Sequence, residues 1–302
     1  MMEQQIELAS AKQYTHVDVE FEPAYHAVWV RLRYPGRPCI SNGLIDDLEQ
    51  VQTRIARVAK QDFQQGEAER LRYQVLGSAQ PGVFCLGGDL ELFIQLVRRR
   101  ERAELERYAK RCIDILFDAN TGYGLPFTTI ALVQGETLGG GFEAALSANV
   151  LIAERGARFG FPETVFGMFP GMGAFSFLAR RIAPAMAKRI IASGKVYTAD
   201  ELYQLGVVDQ VVDDGKGVTA VHEFIRHQQV RSTGFEGLDK VMEQFNPITR
   251  GELMDAVHIW VDTAMKLTEK NMRLMAYLVE AQNRRWSGAV TTSAGLSKAR
   301  SA

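Results

Sequence analysis

Two β-rich runs open the patterned part of the chain, His16 to Phe21 and Tyr25 to Arg33. Pro23-Ala24 between them predicts a hairpin, and Pro35-Gly36 and Pro38 end the second run. Leu44, Leu48, Val51, Ile55 and Val58 then recur at helical spacing behind Ser41, a capping residue. Residues 61–70 are polar and read as a loop, and Arg72 to Leu76 reads as a short strand. The stripe Phe93, Ile94, Val97, Leu105, Tyr108, Cys112 and Leu116 predicts one long helix from Asp89 to about Phe117.

Phe127 to Gln134 has the composition of a buried strand, and a glycine-rich segment, 135–141, leads into a short helix near Phe142. Strands are predicted at Val150–Ala153, Ala157–Phe159 and Val207–Val212, and helices at 174–182, 185–193, 199–205 and 218–229. Beyond residue 230 the strand signal stops, and helices are expected over 249–266 and 268–286. The chain divides into a lead-in (1–15), an α/β body (16–230), a helical region (231–286) and a tail (287–302) expected to be flexible.

Composition narrows the function classes. The chain has 302 residues, 46% hydrophobic and 24% charged, which suits a large globular core. Lys+Arg 35 against Asp+Glu 36 leaves a net charge of -1, so no basic excess calls for nucleic acid. Cys39, Cys85 and Cys112 stand apart, with no CxxC, which suits a reducing cytoplasm. The first residues lack the features of a signal peptide, and no apolar run is long enough for membrane insertion. HExxH, GxxxxGK[ST] and GxSxG are absent, and nothing calls for a metal or other cofactor.

Three segments carry candidate chemistry. Phe84-Cys85-Leu86-Gly87-Gly88-Asp89 lies between a strand and a helix. Its glycines let backbone N–H groups approach a ligand; read plainly, it is a βα turn capped by Asp89. Gly135 to Glu143 contains three consecutive glycines before a helix, suited to oxyanion donors. Glu143 falls in the first turn there, where it can also simply complement the helix dipole. Glu163 follows Pro162 in an apolar stretch continuing through Pro170. Such surroundings raise a carboxyl pKa toward neutral, unless the residue is a surface loop acid. Together, two glycine turns and two glutamates suit a thioester carbonyl flanked by two carboxylates.

On FCLGGD (84–89), ALVQGETLGGGFEAALSANVLIAE (131–154), ARFGFPETVFGMFPGMGA (157–174) and SGKVYTADELYQLGVVDQVV (193–212), the chain resembles the crotonase superfamily. The resemblance spans about 16–230 and implies an α/β fold, a spiral of ββα turns with a helical C-terminal region. It implies trimers or dimers of trimers, with the C-terminal helices serving assembly and covering the acyl pocket. It also implies an oxyanion hole from the amides of Gly88 and Gly140, with Glu143 and Glu163 as the acid/base pair.

Leu86-Gly87-Gly88-Asp89, Met172-Gly173-Ala174-Phe175, the long segment between Ser41 and Leu76, and residues 161–181 depart from ordinary hydratases. They look like the diffusible signal factor synthases of Gram-negative bacteria. That likeness implies dehydration of a 3-hydroxyacyl thioester on acyl carrier protein or CoA, then hydrolysis to a cis-2-unsaturated fatty acid. It also allows a sensor-kinase regulator as partner. The alternatives are an ordinary enoyl-CoA hydratase/isomerase and a non-catalytic crotonase-fold regulatory protein.

Leu86, Leu138, Gly139, Met172, Trp260, Leu274 and Leu278 are expected to bind the acyl group, against a plainer role as core. Arg98-Arg99-Arg100, Arg102, Arg107, Lys110 and Arg111 can meet an acidic carrier, or form a solvated face laced with Glu101, Glu104 and Glu106. Cys85, with no histidine in its motif, is read as packing.

Overall fold

The computed structural model describes residues 14–65, 71–229, 234, 237–238, 241 and 244–299, with side chains of the last helix described through Arg284. Most of the lead-in lies outside the described residues, as do 300–302 of the tail.

The hairpin forms from β1 (Val17–Glu22) and β2 (Ala27–Leu32), paired antiparallel across a 3-10 turn at Pro23–Tyr25. Ser41 caps α1 (Asn42–Gln65) by accepting the Leu44 N–H at 3.2 Å. This helix runs into the segment expected to be a loop. Asp62, buried near its end, accepts the Leu71 N–H at 2.8 Å, so tertiary contact extends a polar stretch as helix.

Three ββα turns follow. β3 (Tyr73–Ser78), β5 (Thr128–Val133) and β7 (Val150–Glu154) join the larger sheet. Their partners β4 (Val83–Cys85), β6 (Glu136–Leu138) and β8 (Arg158–Gly160) join the smaller one. The sheet orders are β1-β2-β3-β5-β7-β10 and β4-β6-β8-β9, with β9 (Val196–Thr198) and β10 (Gln210–Val212) at their ends. Parallel pairing of β2 through β10 requires a crossover at each step, which the helices supply. The chain turns the corner between sheets where backbones nearly touch: a Cβ on Gly135 would lie 2.2 Å from the Gly82 carbonyl carbon. This is the spiral expected from the resemblance. β10 is shorter than the run predicted over 207–212.

The helix expected from Asp89 to Phe117 is two helices, α2 (Leu90–Arg98) and α3 (Arg102–Asn120). Arg100 sits at φ 58, and Glu101 N–H reaches back to Leu96 O at 2.9 Å, closing α2 in a left-handed cap. The Arg100 guanidinium donates to the Met265 carbonyl, a long-range partner that local periodicity does not reveal.

The remaining helices are α4 (Gly140–Ser147), α5 (Ala174–Arg181), α6 (Pro184–Ser193), α7 (Ala199–Gln204) and α8 (Gly217–Gln229). The C-terminal region supplies α9 (Arg250–Ala264) and α10 (Glu269–Ala299), the latter continuing well past residue 286. The main core fills the space between sheets and helices and includes Phe84, Phe142, Phe159 and Phe161. Ala220, Val221 and Ile225 of α8 cover Trp29, Val75 and Ile130 on the far face of the larger sheet. Both faces are therefore buried, as parallel strands require.

Candidate active site

The turn after β4 meets the turn after β6. Gly87 adopts φ +100, and a Cβ there would lie 3.6 Å from Gly140 N; a Cβ on Gly140 would lie 3.5 Å from Gly88 N. Neither N–H, of Gly88 or Gly140, donates to an acceptor among the described residues. Gly140 opens α4, whose N-terminus adds positive potential. Gly141 permits the approach: a Cβ there would meet Cys85 O at 2.4 Å.

These turns face one cavity of about 50 Å³, lined by Gly88, Tyr108, Gly140, Glu143, Glu163 and an apolar set. That set is Leu90, Phe93, Phe166, Met168, Met172 and Trp260. The cavity opens to solvent on one side, and Met168 and Met172 give part of its wall an adaptable apolar surface.

The glutamates have different surroundings. Glu143 is almost fully buried, and its Oε1 accepts the N–H groups of Met172 at 2.7 Å and Ala174 at 3.0 Å. Ala174 is the first residue of α5, so the carboxylate serves that helix N-terminus rather than its own. Burial pushes the Glu143 pKa up to about 7, against the opposing pull of these two donors. Glu163 lies in a 3-10 turn, Pro162–Phe166, and its buried Oε2 has no hydrogen-bond partner among the described residues. Burial first, then the charge of Glu143, pushes its pKa up to about 8. Gly139, at φ +50, makes room for it: a Cβ there would lie 2.3 Å from Glu163 Oε1.

The chain matches the family described as enoyl-CoA hydratase/isomerase over residues 53–289. It belongs to that family. Methylglutaconyl-CoA hydratase, mitochondrial, of Rattus norvegicus is 30% identical over 148 residues, covering 49% of this chain and 45% of that protein. The human protein of the same name is 29% identical, covering 49% of this chain and 42% of its own length. The match thus spans about half the length of these curated relatives.

Among solved structures, an enoyl-CoA hydratase from Bacillus halodurans superposes with TM-score 0.68 at 20% identity, covering 87% of this chain and all of that one (100%). Human mitochondrial delta3-delta2-enoyl-CoA isomerase gives 0.68 at 19%, covering 90% and 99%. Pseudomonas aeruginosa DspI gives 0.62 at 24%, covering 89% and 98%. At these identities the structures establish the fold alone, and they do not single out one branch of the family.

The cavity of this family member gathers Gly88, Gly140, Glu143, Glu163, Met172 and Trp260, but not Leu86, Leu138, Gly139, Leu274 or Leu278. Leu86 is held in the turn by its N–H to Pro38 O at 2.7 Å. Leu138 pairs with Gly160 in the smaller sheet, and Gly139 shapes the site from behind Glu163. Leu274 and Leu278 pack partly buried against the main core, so their i,i+4 spacing marks an ordinary apolar face.

Phe93 and Tyr108, which periodicity places on a core stripe, are buried in the main core and also line the cavity. The tyrosine among apolar neighbours was the available signal, because a buried hydroxyl needs partners. Phe93 and Trp260 lie 5.2 Å apart between ring centres and form part of the lining, while a Cβ on Gly171 would strike the Trp260 ring at 2.3 Å.

The basic stretch is largely committed to ion pairs. Arg98 pairs with Glu269, Arg102 with Glu106 and Asp262, Arg107 with Glu104, Lys110 with Asp114, and Arg111 with Asp46 and Glu49. Arg111 ties α3 to α1, Arg102 ties α3 to α9, and Arg98 ties α2 to α10. Cys85 is buried with its pKa raised by burial, so it is packing rather than a thiolate nucleophile. Among the described residues no group of His, Cys, Asp and Glu could hold a metal, and no helix is long and apolar enough to cross a membrane.

Proposed function

We propose that the protein adds water to, and removes it from, the Cα–Cβ bond of an acyl thioester carried on CoA or a carrier protein. The observation that carries this reading is the convergence of Glu143, Glu163, Gly88 and Gly140 on one cavity. The Gly88 and Gly140 N–H groups receive the thioester oxygen and stabilise it as negative charge develops in the enolate. Near neutral pH the pair holds one proton. Glu143, with two backbone donors, keeps the charge; Glu163, with Oε2 unpartnered, keeps the proton. In hydration, Glu143 takes a proton from the water attacking Cβ, and Glu163 gives its proton to Cα. Dehydration runs the same steps backward: Glu163 removes the α proton and Glu143 protonates the departing hydroxyl. The rat relative's name, that of a CoA-thioester hydratase, supports this substrate class.

A second reading adds hydrolysis of the thioester to a free cis-2-unsaturated acid, as the likeness of residues 161–181 to signal synthases implies. The unpartnered Glu163 Oε2 favours it, because that oxygen can hold a water beside the thioester. Mass spectrometry on protein mixed with 3-hydroxydodecanoyl carrier protein, and with the CoA thioester, separates the readings. An enoyl product still bound as thioester supports the hydratase alone, and free cis-2-dodecenoic acid supports hydrolysis as well. Absence of turnover with either carrier contradicts both.

A further inference from the structure

We propose that Tyr108 is a positioning residue for the Gly88 donor, its hydroxyl fixing the direction in which that N–H points. The inference rests on the reading of Gly88 as an oxyanion donor.

Gly88 sits between two peptide planes, and each has a separate anchor. The first contains Gly87 C=O and Gly88 N–H, which point in opposite directions because the unit is planar and trans. Ile40 N–H holds Gly87 O at 2.8 Å, so this bond sets where the Gly88 N–H points. The second plane contains Gly88 C=O and Asp89 N–H. Asp89 N–H donates to the Tyr108 hydroxyl oxygen at 3.2 Å. The same hydroxyl donates its proton to Ile40 O at 2.6 Å. One oxygen from α3 therefore fixes the second plane directly and the first through Ile40.

The hydroxyl is built for this task. Burial holds the Tyr108 pKa well above its usual value, so the group keeps its proton and can donate and accept at once. It lies 3.5 Å from where a Cβ on Gly88 would be, beside the cavity. Glycine at 87 and 88 leaves the turn free of side chains, and Gly87 at φ +100 needs that freedom. External pins must supply the rigidity that the sequence of the turn lacks. Arg37 Nη2 on Asp89 Oδ1, at 2.8 Å, braces the following residue but touches neither plane of Gly88.

The test is Tyr108→Phe, which removes the hydroxyl and keeps the ring. Its readout is the absorbance of a bound cinnamoyl thioester of CoA, which moves to longer wavelength when its carbonyl is polarised. We expect a clear red shift in the unmodified protein and a much smaller one in the variant. We also expect kcat to fall about 10- to 100-fold, with KM changed far less, as for a misdirected oxyanion donor. An equal red shift in both proteins, or activity lost only in proportion to the unfolded fraction, overturns the role of Tyr108. No red shift in the unmodified protein overturns the oxyanion reading of Gly88 itself. If the phenylalanine variant does not fold, 3,5-difluorotyrosine at position 108 keeps the ring and hydroxyl while changing its donor strength. Red shift and kcat moving together then support the role, and unchanged values overturn it.

Discussion

The segments that present Glu143 and Glu163 hold the same side chain at the same cavity in opposite ways. Glu143 rides on a regular helix, buried, with one oxygen gripped by two N–H groups of the segment that begins α5. Glu163 hangs from a single 3-10 turn, with an oxygen that nothing in the described protein satisfies. Burial raises both pKa values, so burial alone does not divide their labour. The division comes from where backbone donors point: donors favour the charged form, and a bare oxygen favours the proton. On the proposed mechanism, two equal carboxyls thereby become a base and an acid.

The sharpest way to break this comparison is to neutralise each side in turn. Glu143→Gln and Glu163→Gln should each lower kcat about 100- to 10,000-fold, the range for losing one acid/base group. Steady-state kinetics in both directions, with folding checked by circular dichroism, measures this. Near-normal activity in either variant would remove that residue from the chemistry.

The next change leaves both glutamates in place and disturbs one. Gly139→Ala puts a methyl 2.3 Å from Glu163 Oε1 at a backbone φ of +50. Displacing the carboxyl by about 1 Å should cost up to about 100-fold in kcat. Glu143 should keep its own contacts, so the alkaline limb of the pH–rate profile should move and the acid limb stay.

A smaller effect appears in stability. Glu143 in the folded protein titrates at about 7, above its ordinary 4.5, so the fold binds that proton more tightly than the unfolded chain does. The stabilisation is complete below about pH 4.5 and is lost as pH rises through about 7, each pK unit corresponding to about 1.4 kcal/mol. Glu163 extends the loss to about pH 8. Denaturant unfolding without substrate should therefore show stability falling from pH 5 to pH 8 (about three pH units). The fall should flatten in Glu143→Gln, and an equally steep fall there would contradict the assignment.

The smallest effect concerns what steadies the looser segment. Asn271 Nδ2 of α10 donates to Phe166 O at 3.1 Å, joining the C-terminal helix to the Glu163 turn. Asn271→Ala should lower kcat only about fivefold, the equivalent of one ordinary hydrogen bond. No change would mean that packing alone holds the turn.

Much of this is legible in the sequence. Alternating and helical patterns placed the hairpin, α1, α4 through α8 and the two C-terminal helices, because local burial dictates those periods. The glycine turns and both glutamates were readable as well, since glycine runs before helices and an acid within an apolar stretch are unusual combinations. What escaped depends on distant partners. The break at Arg100 is tied to Met265, and the extension of α1 ends in the contact from Asp62 to Leu71. The cavity lining was harder still. Leu274 and Leu278 have the right spacing for a pocket yet pack against the core outside the cavity lining, and Phe93 belongs to the core and to the cavity wall at once. Periodicity identifies a buried face without revealing whether protein or ligand covers it.

The most direct test of the account is infrared difference spectroscopy at a pH of about 7.5, between the values of about 7 for Glu143 and about 8 for Glu163. The account predicts a carbonyl band from one protonated carboxyl group in the unmodified protein. That band should vanish in Glu163→Gln and persist in Glu143→Gln. Loss of the band in Glu143→Gln instead, or no such band in the unmodified protein, would contradict the division between base and acid.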